Sequence, residues 1–370
     1  MTDITLLCKV VDNYGDIGVV YRLARALYNL DNSITLRIIT DNLVSFSKLA
    51  PEIDAQKKIQ TFNSWRIYDW NAAEENIAAF TAEPPQIILE CFQCGRPDWL
   101  ETLLFTTGVP DIVHIINLEY LTAEPYADDF HCLKSVTRSA RVKKVNFMPG
   151  FTNKTGGLIL DRTFSDVQKL HPKNKNRFNV LIFSYERDFS QIVDPLKIFA
   201  KELLEKNDVT LTANVAAGLS EKPFISAWQN AQNPFRINIL PFMPQQEWDD
   251  FLYCQNFLFV RGEDSLSRAC LSGIPFIWHA YKQDENYQLV KVQALLDRMQ
   301  PFFEPETFRI LSDFSIAYNT PGANLPDFLA ILHSYEVLQS GFEAFAQSLY
   351  KNGDLADHLL SYIMKISIEK

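Results

Sequence analysis

Residues 4–40 read ITLLCKVVDNYGDIGVVYRLARALYNLDNSITLRIIT, and this stretch decides the fold class. Ile4–Val11 is a short, nearly continuous apolar run, the pattern of a strand buried on both faces. Asp12–Gly18 is a polar turn containing Gly15 and Gly18. Val19–Leu30 then sets Val20, Leu23, Ala24 and Leu27 at helical spacing, and Thr35–Thr40 returns to strand character before Asp41. Strand, helix, strand at this spacing is a βαβ unit, which makes the class α/β.

Outward from that unit, Gln86–Leu89, Asp111–Ile116 and Lys144–Phe147 read as further strands. The stretch 149–178 breaks the pattern with GFTNKTGG, a short helical piece and the polar, basic HPKNKNR. A second α/β series follows: strands at Asn179–Phe183, Thr210–Val215, Ile237–Leu240, Phe257–Val260 and Ile274–Trp278, with a helix near Pro195–Lys206. The expected organisation is a first domain over 1–155, a linker region over 156–178 and a second domain over 179–341. Amphipathic helices over 342–370 complete it. Two open parallel-sheet domains of this kind hold a ligand cleft between them, at the carboxyl ends of their strands.

Length and composition agree. At 370 residues the chain exceeds one ordinary domain, and 47% apolar with 22% charged residues is a globular composition. With Lys+Arg 35 against Asp+Glu 45 the formal charge is −10, which argues against a general nucleic-acid or anionic-membrane binder. No window approaches the roughly 18 consecutive apolar residues of a membrane helix. The N-terminal residues lack the basic stretch of a signal peptide. Six cysteines, at 8, 91, 94, 132, 254 and 270, are too scattered for a disulfide framework. These bounds describe an acidic, soluble, cytoplasmic protein.

Two loops carry chemistry. The loop after the first strand, 11–18, stands where a dinucleotide enzyme carries G-x-G-x-x-G, but it has only Gly15 and Gly18 and adds Asp12 and Asp16. Two carboxylates at a helix N-terminus repel a pyrophosphate and suit a cationic group instead. Asp12 alone also reads as a turn former, and Asp16 as a helix N-cap. The second loop is Arg261-Gly-Glu-Asp-Ser265, between the strand Phe257–Val260 and a helical run that Gly273 stops. Amides of Asp264, Ser265 and Leu266, the Ser265 hydroxyl, the helix dipole and the Arg261 guanidinium together make an anion site matched to a diphosphate. The plainer alternative is a cap at Asp264 or Ser265, with Arg261 paired to Glu263.

Taken together these stretches resemble the elongation factor P arginine rhamnosyltransferase family, inverting glycosyltransferases of GT-B architecture with two Rossmann-like domains facing across a cleft. The matching segments are VVDNYGDIGVVYRLARAL at 10–27, INLEYLTAEPYADDFHCLKS at 116–135 and FMPGFTNKTGGLI at 147–159. Later come LIFSYER at 181–187, LPFMPQQEWDD at 240–250 and FVRGEDSLSRACLSGIPFIWHAY at 259–281. The resemblance implies a dTDP-β-L-rhamnose co-substrate with no metal cofactor. It also implies an acceptor arginine on a loop of elongation factor P, a modification that helps ribosomes stalled at consecutive prolines.

By the same resemblance, Asp12, Asp16 and Glu263 are the catalytic carboxylates. Arg261, Asp264 and Ser265 contact the donor diphosphate, and Tyr185, Phe242, Gln245 and Trp248 the thymine and deoxyribose. Trp248 stands where the family has phenylalanine, and Gln283–Gln288 lacks an expected histidine.

Competing readings are a GT-B transferase with another nucleotide sugar or a small acceptor, an NAD-dependent oxidoreductase, and a non-catalytic nucleotide-sugar sensor. The missing Gly-rich fingerprint and the acidic loop count against the oxidoreductase. Cys91-Phe-Gln-Cys94 reads as buried thiols, the six histidines show no metal-ligand spacing, and the Arg138–Lys144 cluster reads as a solvated face.

Overall fold

A computed structural model describes residues 2–11, 14–109, 111–171 and 175–368. The chain divides into two compact units, Met1–Asp161 with Asn352–Lys370, and Arg162–Lys351. The stretch expected as a linker is shared out between them. Residues 156–161 belong to the first unit, and the helix Phe164–Leu170 belongs to the second. A boundary at 342 would fall inside a helix, Tyr335–Lys351, which stays with the second unit, while Leu355–Ile368 joins the first.

The first unit contains, among its described residues, a sheet of β1 (Asp3–Cys8), β2 (Thr35–Thr40), β3 (Ile59–Phe62), β4 (Trp65–Asp69), β5 (Ile87–Cys91), β6 (Val113–Leu118), β7 (Lys134–Ser135) and β8 (Val142–Phe147). Their order is β3-β4-β2-β1-β5-β6-β8-β7, parallel except for the two edge pairs β3–β4 and β7–β8. Chain order reverses between β1 and β5, so the loops leaving those strands frame a switch point. β1 is mostly apolar, with Ile4, Leu6, Leu7 and Cys8 buried, because both its faces are covered. Ile4, Leu6 and Cys8 join one core cluster and Leu7 the other. The helix Leu355–Ile368 adds Leu355, Leu359 and Ile363 to the first of these clusters.

Its approach explains the last two glycines of GFTNKTGG, Gly156 and Gly157. A Cβ on Gly156 would lie 2.6 Å from Phe147 and 2.7 Å from Leu355. Gly157 has φ +82° and sits against the Gly353 carbonyl.

The helix Gly15–Leu30 begins earlier than the apolar periodicity shows, with Tyr14 as N-cap and Asp16 in its first turn, where a carboxylate suits the dipole. Strands β3 and β4 escaped the sequence reading. They form a two-residue hairpin at Asn63-Ser64, both with positive φ, where the usual glycine signal is missing.

The second unit carries β9 (Arg177–Ile182), β10 (Thr210–Ala216), β11 (Arg236–Leu240), β12 (Phe257–Arg261) and β13 (Phe276–His279), in the order β11-β10-β9-β12-β13 and parallel throughout. The reversal here lies between β9 and β12. Phe183–Tyr185 follow the first of these strands, and Arg261 ends the second.

Candidate functional site

In the second unit the strand ends bring Arg261 between two aromatic rings. Its guanidinium lies 4.9 Å from the Phe183 centroid and 4.8 Å from that of Tyr185. Its Nε is buried without a hydrogen-bond partner, and no carboxylate pairs with the group among the described residues. The alternative reading, with Arg261 paired to Glu263, is therefore not what the described residues show. A cation held by π faces and left without a counter-charge is preorganised to receive an anion.

Immediately after it, Gly262 caps the helix Glu263–Ser272 with φ 72° and ψ 158°, a conformation essentially reserved for glycine. Neither Asp264 nor Ser265 is the cap. The first-turn amides are those of Glu263, Asp264 and Ser265. The Leu266 amide, expected in the anion site, instead donates to Gly262 O at 3.1 Å.

A neighbouring helix, Gln245–Tyr253, braces this turn. Gln245 Nε2 donates to Asp264 Oδ2 at 3.2 Å, and Trp248 Nε1 donates to Ser265 Oγ at 3.3 Å. The Ser265 hydroxyl thus accepts from tryptophan and keeps its own proton to donate. Trp248 also packs edge-on against Phe183 at 4.9 Å. Pairwise contacts so link Tyr185, Arg261, Phe183, Trp248 and Ser265, and Gln245 with Asp264, while Glu263 opens the helix. Phe242, in the loop after β11, is 49% exposed.

Sequence reasoning missed Phe183, Ser184, His279 and Tyr318, which underlie the same wall. His279 stands in register with Arg261 across β12 and β13, and Ser184 Oγ lies 2.7 Å from its Nδ1. Burial, with Arg187 and Arg261 adding to it, pushes the His279 pKa down to about 3.

In the first unit Asp16 is buried. Its Oδ2 accepts from the Val11 amide at 2.7 Å and its Oδ1 from the Tyr120 hydroxyl at 3.1 Å. It is therefore not an N-cap but a tie between β1's exit loop, the helix start and the loop after β6. The Tyr120 ring stacks on Phe92 at 4.6 Å, and Phe92 and Gln93 both hold positive φ in the loop after β5. These residues, too, were not singled out, although Tyr120 lies within a segment that carries the family resemblance. Asp12 lies outside the described residues.

The discounted signals have physical explanations. All six cysteines are free; burial pushes Cys94 up to about 12 and Cys91 well above the ordinary thiol range, so both stay as inert thiols near neutral pH. In the basic cluster Arg138 pairs with Glu101 and Lys144 with the buried Glu90, so its charge is partly neutralised. Among the described residues no group of three or more His, Cys, Asp or Glu is placed to hold a metal ion, and no helix is long and apolar enough to cross a membrane.

Two doubly wound sheets, parallel but for two edge pairs in the first, are the fold of GT-B glycosyltransferases. Residues 4–364 match the family model described as elongation-factor P (EF-P) rhamnosyltransferase EarP, and the chain belongs to that family. It is similar to a protein-arginine rhamnosyltransferase of Shewanella oneidensis, 34% identical over 322 residues covering 79% of each chain. A protein-arginine rhamnosyltransferase of Neisseria meningitidis is 29% identical over 401 aligned positions, covering 97% of this chain and 96% of the other. Among solved structures, one from work on EarP-mediated arginine glycosylation of translation elongation factor EF-P shares the fold. Its TM-score is 0.60 at 19% identity, over 99% of both chains.

Proposed function

We propose that this chain moves rhamnose from dTDP-β-L-rhamnose to an arginine on a loop of elongation factor P, in the cytoplasm, with inversion at the anomeric carbon. The observation that carries the donor half is the Arg261 guanidinium, gripped by Phe183 and Tyr185 beside the opening turn of Glu263–Ser272. A planar cation and a helix start together neutralise a departing diphosphate. Asp264 and Ser265 complete the diphosphate site, while Tyr185, Phe242, Gln245 and Trp248 take the thymine and deoxyribose.

The acceptor is a poor nucleophile, because its guanidinium stays protonated and its lone pairs are delocalised. Asp12 orients it, Asp16 accepts its proton, and Glu263 polarises it or positions the sugar. The Asp16 carboxylate accepts from the Val11 amide and the Tyr120 hydroxyl, which hold it in place at the start of the helix. A carboxylate is far too weak a base to deprotonate a free guanidinium, so the proton moves late, as the new bond forms. As the N–C1 bond forms, the C1–O bond breaks, dTDP leaves with the electron pair, and the nitrogen's proton passes to Asp16. The modified factor would then relieve ribosomes stalled at consecutive prolines.

The test mixes the purified chain with dTDP-rhamnose and unmodified elongation factor P and measures intact mass. One added deoxyhexose, located on arginine, is the expected result. An unchanged mass with a competent acceptor overturns the proposal.

A further inference from the structure

Ser184, His279 and Tyr318 come from the ends of β9, β13 and the helix Pro305–Asn319, and they meet beneath the aromatic wall. Ser184 Oγ lies 2.7 Å from His279 Nδ1 and 2.9 Å from the Tyr318 hydroxyl. The Tyr185 amide reaches the same Nδ1 at 3.3 Å. An amide can only donate, so Nδ1 is the unprotonated nitrogen and the ring carries its proton on Nε2. The directions of the other bonds follow. The Ser184 hydroxyl donates to Nδ1 and accepts from Tyr318. Tyr318 is held in turn by Arg187, which lies 3.8 Å over its ring and donates to its carbonyl at 2.9 Å.

This chain ends on the donor wall. The His279 ring meets that of Tyr185 edge-to-face at 5.2 Å, and the Tyr185 ring carries Arg261. We infer that His279 is a positioning residue of the donor site: through Ser184 and the Tyr185 amide it fixes the wall against which Arg261 is held, and so sets donor affinity. The inference rests on the donor-site reading given above. Arg187, Arg261, Tyr185 and Tyr318 face the imidazole, and burial with the two cations keeps it uncharged across the neutral range. A proton on Nδ1 would confront the Tyr185 amide, so neutrality is what the arrangement needs.

The test compares dTDP affinity and steady-state constants in wild type, His279→Asn, His279→Leu and Ser184→Ala. Asparagine can offer a carbonyl oxygen near the Nδ1 position; leucine fills the space without an acceptor. His279→Leu should raise the dTDP Kd and donor KM roughly tenfold, the effect of leaving buried donors unsatisfied. The acceptor KM should stay constant, and His279→Asn should recover most of the loss. Equal behaviour of the two variants, or an acceptor KM that moves with the donor KM, overturns the inference. If His279→Leu does not fold, Ser184→Ala decides: a donor KM raised several-fold supports the relay and an unchanged one refutes it. Arg261→Ala separates the two levels. Loss of dTDP binding there with normal binding in His279→Leu refutes only the positioning role, whereas wild-type binding by Arg261→Ala refutes the donor-site reading itself.

Discussion

The Tyr120 hydroxyl donates to Asp16 Oδ1 at 3.1 Å, so this buried carboxylate at the start of the helix after β1 is held from a loop 104 residues away. With the Val11 amide on Oδ2, the carboxylate plane is set before any acceptor arrives. Such fixing matters for a late proton transfer, because misplacement of the accepting oxygen raises the barrier directly.

Tyr120→Phe removes this hydroxyl and keeps the ring that stacks on Phe92. The expected result is a kcat lowered roughly ten- to hundredfold, the scale of one lost hydrogen bond to a charged group, with donor KM unchanged. Steady-state kinetics at saturating donor checks it. A wild-type kcat would detach Tyr120 from the reaction.

Gly262→Ala tests the turn itself. Nothing lies within 4 Å of a Cβ built there, so the penalty is conformational and not steric crowding. Holding φ 72° and ψ 158° with alanine costs on the order of 1–3 kcal/mol, or else the turn relaxes and moves Arg261 relative to the first-turn amides. Either way urea unfolding should show lower stability, or calorimetry weaker dTDP binding. A variant normal in both would show that the turn tolerates other geometry.

Trp248 contributes a ring and an indole N–H, and two substitutions separate them. Trp248→Phe keeps a ring against Phe183 but loses the bond to Ser265, so donor KM should rise only about two- to fivefold. Trp248→Ala removes both and should cost at least roughly tenfold. Equal effects from the two would mean the ring takes no part in donor binding.

Much of this was legible in the chain. Continuous apolar strands alternating with helical runs gave both sheets, because burial on two faces leaves a strong local pattern. Arg261 to Ser265 was readable because strand, glycine and helix start are contiguous. Ser184 and Tyr318 could not be read that way, since they meet across 134 positions and no local spacing joins them. His279 shows no ligand spacing in the sequence; its meaning lies in the Tyr185 amide opposite it, which only the fold supplies. The hairpin at Asn63-Ser64 was lost for another reason, because its turn uses positive φ without glycine.

The His279 environment also fixes the sign of a pH effect. Its folded pKa, about 3, lies below the ordinary value of 6.5, because burial and the nearby Arg187 and Arg261 oppose a charged ring. Between those values the unfolded chain binds a proton that the folded one excludes, so this contribution to stability is complete above pH 6.5 and falls as the pH drops toward 3. From pH 7 to pH 5 one such group accounts for at most roughly 2 kcal/mol. His279→Asn lacks the titrating ring and should lose correspondingly less stability over that interval. Urea unfolding of both proteins at the two pH values checks it. A wild-type protein whose pH 7 to pH 5 loss matches that of His279→Asn would show that the imidazole is not buried in its neutral form.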